Sequence, residues 1–182
     1  LWGVDLENWD VSNGEPGLEA ESEGIPTVLG EMVHILPLND ANRVEELFKK
    51  EADSIAAFLI EPIMGNCCSI SAEKSYLEAV RQLCDKYKVV LIIDEVKTGF
   101  RVAKGGVQEL MGIKADICTF AKAVANGYPI SVVAGREDIM RQVGNGVIHG
   151  GTYTAHSVAL AAAAKTLEII ETTPVLEDIA SY

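Results

Sequence analysis

Basic charge is scarce in this sequence and missing from its first quarter. Residues 1–42 carry nine acids and no Lys or Arg, so most of the net charge of −12 falls there. Such a chain has no electrostatic footprint for nucleic acid or for an anionic membrane. Also missing is any apolar run near the ~20 residues that cross a bilayer; stretches such as 89–93 and 158–164 are far shorter. Cysteine is sparse and badly spaced for a metal. Cys67 and Cys68 are adjacent, Cys84 and Cys118 stand alone, no CxxC occurs, and His34, His149 and His156 have no ligand spacing to them. That argues against zinc and suits reduced thiols in a cytoplasmic protein. There is no internal repeat and no low-complexity tract. The opening LWGVDLENWD has neither an initiator Met nor the build of a signal peptide, and reads as the interior of a longer protein.

What is present is an ordinary globular balance: 182 residues, 48% apolar and 23% charged, enough for one full domain. Residues 1–30, acidic and punctuated by Asn13-Gly14, Pro16-Gly17, Gly24 and Pro26, read as an irregular connecting segment. Beyond them the pattern predicts strands over 32–36, 55–60, 89–93, 116–120 and 130–134. Helices are expected from an Asn39 N-cap to about Lys50, from Ser71 through Tyr87, and over 105–111, 136–143 and about 157–171. The continuous runs IAAFLI and VVLII fit strands covered on both faces. Alternating strands and helices make this an α/β domain with a mostly parallel sheet flanked by helices.

In such sheets ligands bind beyond the carboxyl ends of the strands. Those ends carry Glu61-Pro62 with Gly65-Asn66 just past them, Asp94-Glu95, and Ala121-Lys122. Two carboxylates, an amide and a lysine therefore project to one edge. Lys122 is flanked by Ala121, Ala123, Val124 and Ala125, a setting expected to desolvate its ammonium and favour the neutral amine that Schiff-base chemistry needs. Taken singly, each has a plainer reading: Asp94 as a turn cap or ion-pair partner, Glu61 as a strand end, Asn66 as a turn residue. The GGT at 150–152 frees backbone N–H groups for an anion, a weak signal by itself.

Together, LIIDEVKTGFR (91–101), DICTFAKAVANG (116–127), GGTYTAH (150–156) and EPIMGN (61–66) resemble the fold-type I, class-III pyridoxal-phosphate aminotransferases, especially the branch around glutamate-1-semialdehyde aminomutase. The resemblance implies an enzyme with pyridoxal 5'-phosphate as cofactor, moving an amino group between an amino acid or amine and an oxo acid or aldehyde; an aminomutase shifts it within one molecule. It further implies that Lys122 forms the Schiff base and that Asp94 pairs with the pyridinium nitrogen. Val96 matches the apolar residue on one ring face, Asn66 the asparagine near the phenolic oxygen, with Glu61 supporting from behind. Thr152 matches the threonine that reaches the phosphate of the neighbouring subunit's cofactor, so a homodimer is implied. Residues 31–171 correspond to the larger part of the cofactor-binding large domain, and 172–182 to the start of the passage toward a small domain. The phosphate cup, the second ring-stacking residue and the small domain have no counterpart in these residues, so the chain alone is expected to be inactive. CCSIS after EPIMGN departs from the branch's Gly- and Pro-bearing stretch, which leaves the substrate open. A non-catalytic scaffold of the same fold has no use for both Lys122 and Asp94, and a dinucleotide-binding domain lacks its GxGxxG.

Overall fold

The computed structural model describes residues 2–5 and 17–182. Its centre is a four-stranded sheet in the order β3 (Ala57–Ile60), β6 (Val90–Asp94), β7 (Ile117–Phe120), β8 (Val132–Gly135). β3, β6 and β7 run parallel and β8 antiparallel. Two short antiparallel ladders are separate from this sheet: β1 (Trp2–Asp5) with β2 (Gly17–Ala20), and β4 (Ile63–Met64) with β5 (Ile70–Ser71). The helices are α1 (Ala41–Glu51), α2 (Lys74–Tyr87), α3 (Gly106–Met111), α4 (Glu137–Met140), α5 (Ser157–Thr172) and α6 (Val175–Ala180). Among the described residues no helix is long and apolar enough to cross a membrane, and no cluster of His, Cys, Asp and Glu is arranged to hold a metal.

Side-chain alternation gives the sheet two unlike faces. One carries Ile60, Leu91 and Ile93, buried against Val44 and Phe48 of α1 and Leu77, Val80 and Cys84 of α2. Their 3.6-residue spacing makes both helices one-sided, and Phe48 sits edge-on to Phe58 and Tyr87 with ring centroids 6.3 and 5.8 Å away. The other face carries Leu59, Ile92, Asp94, Thr119 and Val133. Here the expectation of strands covered on both sides is not met, since Leu59 is 66% and Val133 49% exposed. A second apolar cluster joins Val124 and Ala125 to Ala163 of α5, with Phe100, Ile130 and Val132 around it.

Four further expectations change. The segment at 1–30 is not irregular throughout, because β1 and β2 form an antiparallel pair; the rest of it up to residue 16 lies outside the described residues. Residues 32–36 are not a strand. A 3₁₀ turn occupies Thr27–Met32, and Leu36 and Leu38 pack onto the core without any ladder partner among the described residues. The N-cap of α1 is Asp40, whose carboxylate accepts the Arg43 N–H at 3.2 Å. Asn39 instead takes a positive φ of 64° and its carbonyl accepts the Glu73 N–H at 2.7 Å, tying the start of α2 to that of α1. The helix expected over 136–143 shrinks to α4, followed by turns with Gly144 and Gly146 at positive φ.

Candidate active site

The parallel strands end level with one another: Ile60 lies beside Ile93, and Asp94 beside Thr119. Glu61, Asp94 and the short turn that begins at Lys122 therefore share the carboxyl edge of the sheet. Asp94 is half-buried, and its Oδ1 accepts the Val96 N–H at 2.8 Å, folding the chain back in a tight Asx turn. No bond occupies Oδ2 among the described residues. Val96 is half-buried in that turn. Thr119, paired with Asp94 and on the same face, holds a buried hydroxyl with no hydrogen-bond partner among the described residues.

Lys122 opens the 3₁₀ turn Lys122–Ala125 with φ at +47°, a conformation costing roughly 1–2 kcal/mol for a residue with a Cβ. Such strain persists where the surroundings enforce it, and it gathers at functional sites. The expected desolvation is corrected here. Val124 and Ala125 are buried against α5, but the Lys122 side chain is exposed and has no polar partner among the described residues. Its apolar neighbours serve the helix contact rather than the ammonium.

Glu61 and Asn66 sit on the adjoining loop. The Glu61 carboxylate accepts the Gly65 N–H at 2.9 Å. Asn66 is exposed, and its Oδ1 accepts a hydrogen bond from Lys97 Nζ. Thr152 lies in an exposed stretch over 141–158, and no hydrogen bond among the described residues joins it to Asp94 or Lys122. Asp94, Glu61, Asn66 and Lys122 thus come to one edge.

Glu95 was legible only as a neighbour of Asp94, yet it is fully buried. Its carboxylate accepts the Thr98 hydroxyl, the Val107 N–H at 3.0 Å and the Gln108 N–H at 2.9 Å. This clamps the loop that carries Lys97 to the start of α3. Gly106 makes room: its φ is +72° and a Cβ there would collide with the Glu95 carboxylate. The Gly105-Gly106 pair was the available sequence signal.

At the opposite edge Asp116, 5% exposed, accepts the Leu91 N–H at 2.7 Å and pairs with Arg81 and Arg136, each at 2.9 Å. Burial pushes its pKa up, but the Leu91 N–H and the two guanidiniums outweigh that and hold the carboxyl below its ordinary value. A cleft of about 550 Å³ lined by Glu78, Arg81, Asp85, Lys114 and Asp116 lies there, away from Asp94 and Lys122. Arg81 pairs there with both Asp85 and Asp116, which marks a structural network.

Residues 19–182 match the family model described as Aminotransferase class-III, and the chain belongs to that family. Among individual proteins, it is 45% identical over 152 residues to a glutamate-1-semialdehyde 2,1-aminomutase of Polynucleobacter necessarius subsp. necessarius (strain STIR1), covering 82% of this chain and 35% of that protein. The aminomutase of Hyperthermus butylicus (strain DSM 5456 / JCM 9403 / PLM1-5) is 39% identical over 152 residues, 82% of this chain and 36% of its own. Among solved structures, an omega-transaminase from Sphaerobacter thermophilus superposes with a TM-score of 0.82 at 30% identity, covering 90% of this chain and 38% of that one. A transaminase with PLP bound gives 0.80 at 31% identity, covering 89% and 39%. The mostly parallel α/β fold is the one these transaminases share. The chain spans little more than a third of the length of the curated relatives it matches.

Proposed function

We propose that this chain supplies the lysine and the ring-nitrogen carboxylate of a pyridoxal-phosphate site, and that the whole protein transfers an amino group between an amino acid or amine and a carbonyl acceptor. One observation carries this: the unpartnered Lys122 ammonium and an Asp94 carboxylate with one oxygen free stand on the same sheet edge. The residues suit the cofactor in chemical kind. Asp94 offers an acceptor for a protonated ring nitrogen, Val96 an apolar contact for the ring, and the buried Thr119 hydroxyl lacks a partner on the same face. When bound, the cofactor supplies an aldehyde for an amine and a ring that delocalises charge from the substrate Cα. Lys122 would provide that amine, and its Nζ would take up and give back the proton of the substrate Cα. Asp94 holds the proton on the ring nitrogen by charge.

Identity of 39–45% to aminomutases supports a second reading, in which the amino group moves within one molecule. Thr152, exposed and without a partner here, fits a role at the phosphate of a neighbouring subunit's cofactor, which makes the protein a homodimer. Four free cysteines suit the cytoplasm. The whole protein, titrated with pyridoxal phosphate, should develop a visible absorption band that an amino donor bleaches. Glutamate-1-semialdehyde converted without any added donor selects the aminomutase. No band at saturating cofactor contradicts the proposal.

A further inference from the structure

We propose that Lys97 is a positioning residue that fixes the Asn66 amide with its NH2 group, not its carbonyl, toward the ligand. This rests on the reading of the edge as a pyridoxal-phosphate site, and it names a residue which that reading does not use. An ammonium can only donate, so its partner on Asn66 has to be Oδ1. Turning the amide over would set NH2 against NH3⁺, donor against donor. The two Asn66 N–H groups are therefore left to face outward.

The rest of the loop is already held. Glu61 takes the Gly65 N–H on one side of Asn66, and on the other the Cys67 N–H bonds the Met64 carbonyl at 3.0 Å. The chain then returns through the Ile70 N–H to the Cys67 carbonyl at 3.1 Å. With the backbone fixed on both sides, rotation of the amide is the freedom that remains, and Lys97 removes it. Lys97 is itself restrained. Its stem lies over Gly65, where a Cβ would collide with its Cδ, and that same position is 3.2 Å from Nζ and 3.3 Å from Glu61 Oε1. Two residues earlier the buried Glu95 anchors the loop, and Thr98 follows directly.

An Asn66 amide that presents its two N–H donors, backed by a positive charge, suits an anionic oxygen such as a phenolate. The engaged Lys97 ammonium also separates it from Lys122, whose ammonium has no partner among the described residues.

The test uses the whole protein with Lys97→Met, which keeps the stem and loses the donor, and Lys97→Arg, which restores donor and charge. Pyridoxal phosphate binding is titrated by visible absorption, and the bound band is then titrated with pH. Lys97→Met should bind the cofactor about tenfold more weakly. Its pH midpoint should rise by about one unit, because the proton next to the phenolic oxygen is held more tightly once donor and charge are gone. Lys97→Arg should return both values to near wild type, and the melting temperatures without cofactor should agree. Wild-type affinity and midpoint in Lys97→Met would overturn the positioning role. So would a Lys97→Arg protein as impaired as Lys97→Met, or a Lys97→Met protein that melts far below wild type without cofactor. A wild-type protein that takes up no pyridoxal phosphate would instead overturn the proposed function, and this role with it.

Discussion

Asp116→Asn removes the charge that ties α2, β6 and the start of α4 to the residue just before β7. Its three partners do not lose equally. The Asn carbonyl still accepts the Leu91 N–H, and Arg136, with a side chain 50% exposed, keeps Asp138 at 2.6 Å. Asp116 Oδ2 accepts both the Leu91 N–H and Arg81 Nη1, so a carbonyl there keeps both bonds and the NH2 group faces Arg136. Arg81 loses the opposing charge: its side chain is 17% exposed, its Nε is buried without a partner among the described residues, and its remaining carboxylate, Asp85, is an exposed one. Breaking one side of a largely buried pair costs about 3 kcal/mol, the lower end of the range for such pairs. In a chain of this size that lowers the melting temperature by about 6–12 °C. The sign of the pH dependence also follows. A carboxyl with a depressed folded-state pKa contributes stability above its unfolded value, roughly 3.9, and loses it as pH falls through the folded value. Urea unfolding of wild type and Asp116→Asn should thus differ by a constant amount between about pH 5 and 8, and the gap should close below about pH 4. A difference under about 1 kcal/mol at pH 7, or one that widens in acid, would refute the reasoning.

Glu95→Gln turns one oxygen that faces donors into an NH2 group, and should cost about 2–4 kcal/mol in urea unfolding; a loss under about 1 kcal/mol would show that the clamp is dispensable. Asp94→Asn in the whole protein should still take up pyridoxal phosphate yet retain on the order of 1% of turnover, since an amide cannot hold the ring-nitrogen proton by charge. Near-normal steady-state turnover would remove Asp94 from that role.

The buried strands and the two amphipathic helices could be read directly because burial leaves periodic traces: Val44, Leu47 and Phe48 in α1, and Leu77, Val80 and Cys84 in α2. The placing of Asp94 and Lys122 on one sheet edge was legible for a positional reason, each coming at the carboxyl end of an apolar strand. The misreadings arose where local pattern underdetermines the partner. Asn39 and Asp40 are both good caps, and only the packing of α2 decides that Asn39 serves Glu73. Residues 32–36 have strand composition, but a strand also needs a neighbour. Apolar residues around Lys122 suggested a desolvated amine, whereas α5, more than thirty residues on, is what they cover. Glu95 and Lys97 depend on partners 12 and 31 residues away, and such pairings leave little mark on a single sequence.

The central claim is that Lys122 is the lysine that holds the cofactor. The direct measurement is borohydride reduction of the whole protein with pyridoxal phosphate, followed by proteolysis and mass spectrometry of the labelled peptide. A pyridoxyl group on Lys122 is expected, with the label and the visible band both lost in a Lys122→Ala protein that still folds. A label on Lys97 or Lys104, or turnover that survives in Lys122→Ala, would contradict it.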